Sequence, residues 1–202
     1  MDRDTLIRAR HASLVAVAFV ITATLGTNAR AGDETHFDAT TGYRIDRYRA
    51  PTPDTVPGAT TISVDDVRRL LKDERAVLVD AMPAEGAGPD PKTGAWRLSK
   101  KREHIPGSIW LPDVGKGVLS PAMDRYFRTN LDRITQGDQA RALIIYCLAD
   151  CWMGWNAAKR AAAYGYTRVY WFPGGTDDWR DWEGTLEPAA PVPLDVSAAA
   201  PN

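Results

Sequence analysis

The chain reads Ala142-Leu143-Ile144-Ile145-Tyr146-Cys147 at its clearest buried strand, an unbroken apolar run of strand length that ends at a cysteine. Helical spacing follows over residues 153–164, and a second strand-like run occupies residues 168–172. Strands that alternate with helices are typical of a parallel α/β sheet. We therefore expect an α/β fold, a parallel sheet flanked by helices, with this strand buried in it.

The same alternation extends towards the amino terminus and defines a domain over residues 62–187. The other expected helices and strands lie at residues 64–72, 76–80, 108–111, 122–135 and 176–182. Ser63 and Asp66 resemble a capping box at the start of the first helix. The glycine- and proline-rich residues 83–103 predict a long loop, and residues 188–202, which lack periodicity, predict a disordered tail.

The first 31 residues have the features of a signal peptide. Three arginines precede the uncharged apolar run of residues 12–26, and Ala29-Arg30-Ala31 places small residues at the positions that a signal peptidase reads. The apolar run is shorter than the roughly 20 residues that a membrane span needs, which favours cleavage over a membrane anchor. The sequence therefore predicts a periplasmic protein, cleaved after Ala31, with no membrane association after cleavage.

An irregular lead follows the predicted cleavage site, over residues 32–61. Pro51, Pro53 and Pro57 argue against regular structure there. The aromatic and basic residues 43–49 are expected to pack onto the domain.

Charge and cysteine content exclude several classes of protein. Cleavage would remove four of the 25 basic and two of the 26 acidic residues, which leaves 21 and 24. This small negative net charge gives no reason to expect nucleic acid or an anionic membrane as a partner. Only two cysteines occur, Cys147 and Cys151, so the chain is not a small protein that is held together by several disulfides.

Cys147 is the candidate nucleophile. A cysteine in the loop between a strand and the next helix lies near backbone N–H groups at a helix amino terminus, which favour its thiolate. That arrangement suits a group that accepts and passes on sulfur. The alternative is a structural cysteine, since free cysteine is among the most buried residue types.

Several short motifs, in their order along the chain, resemble the rhodanese domain. They are Val77-Leu78-Val79-Asp80, Glu103-His104-Ile105-Pro106-Gly107-Ser108-Ile109, the cysteine loop, Ala157-Ala158, Gly165-Tyr166 with Val169, and Gly174-Gly175 followed by Trp179. The resemblance covers residues 62–184. It implies a single rhodanese-like domain in which Cys147 would carry a persulfide held by backbone N–H groups of its loop.

A narrower resemblance involves three segments. Cys147-Leu148-Ala149-Asp150-Cys151-Trp152, residues 155–160 and Gly42-Tyr43-Arg44 are similar to the PQQ-dependent catabolism-associated CXXCW motif proteins, which are periplasmic. The resemblance implies a link to PQQ-dependent alcohol oxidation, with a quinoprotein dehydrogenase or cytochrome c as partner. PQQ would be that partner's cofactor, and we expect none in this chain. Here three residues, not two, separate the cysteines.

The predicted substrate loop departs from the rhodanese pattern because it holds no basic residue. Its members are Leu148, Ala149, Asp150, Trp152 and Met153, together with Cys151. Asp150 would repel an anionic persulfide or thiosulfate, which argues against ordinary thiosulfate sulfurtransferase activity. Cys151 suggests instead a resolving thiol or a dithiol–disulfide pair acting on a small sulfur or thiol compound.

Three further hypotheses concern residues around the loop. Asp80 either tunes the cysteine or is a structural residue, and the structural role is favoured. A metal site is not expected, because beyond the two thiols only His36 and His104 offer strong ligands, and His104 is expected to hold its own loop. A non-catalytic docking module is the competing class of function, and it should survive exchange of Cys147 for serine.

Overall fold

A computed structural model describes residues 36–73, 76–182 and 184–196. The predicted signal peptide, its cleavage site and residues 197–202 lie outside this part of the chain. In chain order the elements are β1 (Thr60–Thr61), α1 (Val64–Asp73), β2 (Val77–Asp80), β3 (Gly86–Pro89), β4 (Trp96–Leu98), β5 (Glu103–His104), β6 (Ile109–Trp110), α2 (Pro121–Thr135), β7 (Leu143–Tyr146), α3 (Trp152–Ala163), β8 (Val169–Phe172), α4 (Gly175–Asp181) and β9 (Glu187–Pro188).

Five strands form a parallel sheet in the order β1-β8-β7-β2-β6, which confirms the expected α/β fold. Strand β7 is central, and all four of its residues are fully buried. Leu143 and Ile145 face a core shared with α2 and α3, whereas Ile144 and Tyr146 face a second core shared with α1. Because both faces of the sheet are covered, β7 is apolar throughout rather than alternating.

The capping box at the start of α1 is present. The Ser63 hydroxyl accepts a hydrogen bond from the Asp66 N–H (3.3 Å), and the Asp66 carboxylate accepts one from the Ser63 N–H (3.1 Å). These bonds satisfy backbone donors that the first helical turn leaves without partners. Val67 and Leu70 are buried, as the helical spacing predicted.

The expectation of a long loop over residues 83–103 is wrong in its middle part. Strands β3 and β4 form a short antiparallel hairpin, and its turn is held by Asp90, whose carboxylate accepts the N–H groups of Lys92 and Thr93. A Cβ atom at Gly86 would lie 2.0 Å from the Arg97 carbonyl oxygen. Glycine is required at this position because the backbones of the two strands approach closely. In the sequence, a glycine in such a position resembles the signal for a loop.

The predicted disorder from residue 188 is wrong as far as Leu194. Strand β9 pairs with β5, and Ala189 donates its N–H to Arg102 O at 2.9 Å. Further along, Val192 donates to Trp110 O (3.0 Å) and Leu194 to Gly94 O (2.9 Å). Each partner is far away in sequence, so no local periodicity could reveal the contact.

The lead packs onto α3, as its aromatic and basic residues predicted, but its last two residues form β1 and pair with β8 instead of being irregular. Asn156 of α3 accepts the Arg44 N–H (3.0 Å) and donates to the Arg44 carbonyl (2.8 Å). The Arg44 guanidinium lies 5.0 Å from the ring centres of Phe37 and Trp152. Within the described ranges, no helix is long and apolar enough to cross a membrane.

Candidate active site

Cys147 and Cys151 form a disulfide at the carboxyl end of β7. Their Cα atoms are 6.1 Å apart, within the range that a disulfide accepts. Both residues are buried, Cys147 with 1% and Cys151 with 3% of its surface exposed. Three intervening residues thus allow the bridge, and the two cysteines that were predicted as the catalytic pair are joined. Of the predicted substrate loop, Leu148, Ala149 and Asp150 lie between the cysteines, whereas Trp152 and Met153 belong to α3.

The loop between the cysteines is held from two sides. Asp150 has a left-handed backbone (φ 50°), which turns the chain back towards Cys151. Ala149 donates its N–H to the Asp177 carboxylate of α4 (3.1 Å), and Trp152 donates its N–H to Tyr48 O in the lead (2.9 Å). These two N–H groups are therefore already engaged and do not serve as the persulfide cradle that the rhodanese resemblance implies.

The helix amino terminus lies at Cys151 rather than at Cys147. Cys151 is the N-cap residue of α3, and Cys147 comes four residues earlier. The positive end of a helix dipole stabilises a thiolate and lowers its pKa. Of the two cysteines, Cys151 is thus the one at the helix amino terminus, a distinction that the sequence pattern did not make.

Met82 separates the disulfide from a surface cavity. Its Sδ atom lies 3.5 Å from Cys147 Sγ, and since a disulfide sulfur carries no proton, this is a van der Waals contact. The cavity has a volume of about 480 Å³. It is lined by Met82, Pro83, Glu85, Lys100, Lys101, Arg102, Glu103, Trp110, Leu148, Thr176, Arg180 and Pro188.

Asp80 is fully buried and forms an ion pair with Arg102 at the cavity wall. Arg102 donates from Nε to Asp80 Oδ2 (2.5 Å) and from Nη2 to Oδ1 (2.9 Å). Asp80 also accepts the Met82 N–H at 3.0 Å. Burial raises the pKa of the Asp80 carboxyl, and the positive charge of Arg102 opposes this rise. These contacts fit the structural role for Asp80, which holds Arg102 and the backbone of Met82 beside the site.

His104 is buried beneath the same wall. Its Nδ1 atom lies 3.9 Å from Asp80 Oδ2, and its Nε2 atom lies 3.7 Å from Glu187 Oε1. Burial lowers the pKa of the imidazole, which favours its neutral form. In the described part of the chain, no group of three or more His, Cys, Asp or Glu residues is arranged to hold a metal ion.

The basic residues of the site were not predicted from the sequence. The cysteine loop has none, but the Lys100-Lys101-Arg102 segment and Arg180 of α4 bring four positive charges to a cavity that Glu85 and Glu103 also line. The run of three basic residues just before His104 was the available signal. This run could not be assigned to the site, because a single sequence does not show which loops lie close together in the folded protein.

Gly175 supports the cysteine loop from α4. Its φ is +53°, and a Cβ atom there would lie 2.3 Å from the Cys147 carbonyl oxygen. Thr176 donates its N–H to that same oxygen at 3.2 Å. The Gly174-Gly175 motif thus lets α4 approach the end of β7 closely enough to bond it.

The Gly175→Ala variant should lower the free energy of unfolding by about 2–3 kcal/mol, because it adds a clash with backbone to a left-handed conformation. Urea denaturation measures the change. The control is Gly88→Ala, where φ is +75° but nothing lies within 4 Å of the added Cβ. That variant should lose only about 1 kcal/mol, and equal losses would show that close approach to Cys147 does not matter.

Residues 63–181 match the family model described as Rhodanese-like domain. No curated protein sequence matches the chain.

Among solved structures, wild-type EanB is 21% identical with a TM-score of 0.44, over 67% of this chain and 29% of that one. A complex of an EanB variant with hercynine is 22% identical with a TM-score of 0.41, over 64% and 27%. An uncharacterized protein from Saccharomyces cerevisiae is 25% identical with a TM-score of 0.36, over 61% and 92%. The chain spans less than a third of the two EanB structures.

Proposed function

The chain belongs to the rhodanese-like domain family, and from this premise we propose that it handles small sulfur or thiol compounds by redox change at Cys147. The observation that carries the proposal is the disulfide between Cys147 and Cys151 in the loop where the family places its reactive cysteine. Cys151 would act as the resolving partner. The disulfide would be the resting state, since disulfides persist in an oxidising compartment.

The reductive half of the cycle follows from the geometry. A thiolate attacks Cys147 Sγ, the sulfur next to the cavity residue Met82, and the disulfide bond breaks as the electron pair moves onto Cys151 Sγ. The product is a mixed disulfide on Cys147 and a thiolate on Cys151, at the amino terminus of α3. Attack by a second thiol, or by Cys151, releases the compound from Cys147.

A persulfide fits the same pair of cysteines. If a sulfur donor leaves a persulfide on reduced Cys147, the Cys151 thiolate can attack Cys147 Sγ, reform the disulfide and release hydrosulfide. Lasting storage of a persulfide is disfavoured. The N–H groups of Ala149 and Trp152 are engaged, and the loop holds Asp150 without a basic residue.

We further propose that the protein is exported to a periplasm and supports PQQ-dependent alcohol oxidation. The signal-like residues 1–31 and the cysteine loop followed by Trp152 support this assignment, together with Gly42-Tyr43-Arg44 in the lead. A quinoprotein dehydrogenase or cytochrome c would be its partner. Loss of the protein should slow growth on a primary alcohol, and normal growth would contradict this part of the proposal.

Intact-mass spectrometry tests the proposal on protein purified from the periplasm without reductant. We expect a chain that begins at Gly32 and is two hydrogens lighter than its reduced form. Cys151→Ser should trap a stable thiol adduct on Cys147, whereas Cys147→Ser should form no such adduct there. A disulfide that closes so short a loop contributes only about 2 kcal/mol, so both variants should remain folded.

Two results would overturn the proposal. One is a pair of free, unmodified thiols that react with neither thiols nor sulfur donors. The other is a cellular function that survives Cys147→Ser, as a docking module would.

A further inference from the structure

We infer that the cavity beside Cys147 selects low-molecular-weight thiols that carry a carboxylate. The inference rests on the proposed thiol exchange at the disulfide and names the class of compound that takes part in it. Its basis is the side from which the disulfide can be approached, the charge of that side, and the size of the space there.

The disulfide is buried beneath side chains on the cavity side and beneath the backbone of the lead on the other side. The lead covers Cys151: Arg49 pairs with it across an antiparallel bridge, Ala50 donates its N–H to Asp150 O (3.1 Å), and Tyr48 O accepts the Trp152 N–H. On the opposite side, Met82 and Leu148 line the cavity and also pack against the cysteines. A thiol therefore meets Cys147 first.

The side chain of Met82, which lies between the cavity and Cys147, has to move for contact. Its backbone is fixed, since its N–H donates to Asp80 and its carbonyl accepts from Trp110 Nε1 (2.7 Å). The methionine side chain is unbranched and flexible, so it can yield to an entering sulfur. Attack at Cys147 also leaves the departing thiolate at the N-cap position of α3, beside the positive end of the helix dipole.

The rim of the cavity has a small positive net charge of +1, since its four basic residues are opposed by Glu85 and Glu103 and by Asp80, which pairs with Arg102. Lys100 pairs with Glu85 (2.6 Å) and Arg180 with Glu103 (3.7 Å), both on exposed side chains. Lys101 also lines the cavity and is exposed, and among the described residues it has no hydrogen-bond or ion-pair partner. Exposed ion pairs contribute only about 0–1 kcal/mol, so a substrate carboxylate can compete for these cations at small cost.

The floor of the cavity is apolar and the space is of ligand size. Met82, Pro83, Trp110, Leu148 and Pro188 contribute its apolar lining. The volume of about 480 Å³ falls within the roughly 300–1,000 Å³ that small-molecule sites occupy. A short carbon chain can lie on this floor with its thiolate at Met82 and its carboxylate near Lys101.

The reaction balances without any further reagent. The thiolate of the acid attacks Cys147 Sγ, forming one S–S bond as the Cys147–Cys151 bond breaks, and Cys151 takes up the electron pair. A second molecule of the same thiol attacks the mixed disulfide and leaves as the disulfide of the acid. Two thiols are oxidised, and the protein disulfide is reduced to two thiols.

The test compares three thiols of similar size on the oxidised full-length protein: 3-mercaptopropionate, 2-mercaptoethanol and cysteamine. The second-order rate of disulfide reduction, expressed per thiolate, is measured by alkylation and mass spectrometry. We expect the acid to react about tenfold faster than the neutral thiol, the cationic amine to react slowest, and the preference to fade at high salt.

The charge of the rim is tested with Lys101→Glu. This variant should lower the rate with 3-mercaptopropionate about tenfold and leave the rate with 2-mercaptoethanol unchanged. Lys92→Glu is the matched control, because Lys92 is an exposed lysine that does not line the cavity. It should change neither rate.

The outcomes separate this inference from the proposed function. Equal rates for the three thiols, or no effect of Lys101→Glu, would overturn the charge selection while leaving thiol exchange intact. If no thiol reduces the disulfide in the folded protein, the proposed function itself fails.

Discussion

Arg102→Met should lower the free energy of unfolding by about 3–5 kcal/mol, since it leaves a buried carboxylate without its counter-charge. Asp80 is completely buried, and Arg102 supplies two hydrogen bonds to it. Urea denaturation at neutral pH measures the loss. Lys101→Met is the matched control and should change stability by less than about 0.5 kcal/mol, because Lys101 is exposed.

The sign of the pH dependence distinguishes this mechanism from lost packing. Burial raises the pKa of Asp80 above its unfolded value, and removal of Arg102 removes the charge that opposes the rise. A folded state that holds its proton more tightly loses stability as pH increases from the unfolded pKa. The deficit of Arg102→Met should therefore be smaller at pH 5 than at pH 8. The double variant Asp80→Asn/Arg102→Met should recover part of the loss, and a deficit that is independent of pH would contradict the argument.

Asn156→Ala should cost about 3 kcal/mol and loosen the lead. The side chain is fully buried and makes three hydrogen bonds, two with the backbone of Arg44 and one to Gly115 O at 2.8 Å. Each such bond contributes about 1 kcal/mol, and its loss leaves buried backbone groups without partners. Thermal unfolding measures the stability, and hydrogen exchange at residues 43–50 measures the loosening.

Asn130→Ala is the control for the loss of a buried asparagine. Its amide donates to Tyr126 O in its own helix at 2.8 Å, and it makes no bond to the lead. It should cost about 1 kcal/mol and leave exchange in residues 43–50 unchanged. If Asn156→Ala also leaves that exchange unchanged, the lead is held in place by other contacts.

Four of the five strands of the central sheet could be predicted from the sequence because their signals are local, whereas β1 lies in the stretch that was expected to be irregular. Residues 142–146 are apolar on both faces, and the helices around them repeat with helical spacing, so the type and order of these elements were correct. The hairpin over residues 86–98 was missed because backbone pairs with backbone there, and glycines replace the apolar alternation that identifies a strand.

The candidate site, too, could be predicted only in part, where its signals are local. Cys147 and Cys151 are four residues apart, so their pairing was foreseeable as a possibility. Arg102 and Met82 reach the site from 45 and 65 positions earlier in the chain, and only the parallel sheet order places them beside β7. Residues 189–194 could not be placed from the sequence for the same reason, since the backbone carbonyls that they bond belong to Gly94, Arg102 and Trp110.

Residues 189–194 also cover an edge of the sheet, and we expect this cover to limit self-association. β6 is an edge strand of the sheet, and an uncovered edge offers free N–H and C=O groups to the edge of another molecule. Pro191 lies opposite Trp110 in a parallel bridge, and the Val192 N–H donates a hydrogen bond to the Trp110 carbonyl. Proline has no N–H with which to continue a ladder, so the pairing ends there. A chain shortened at Glu187 would leave the edge beside Trp110 uncovered. We expect such a chain to aggregate, while its cysteine site would still react.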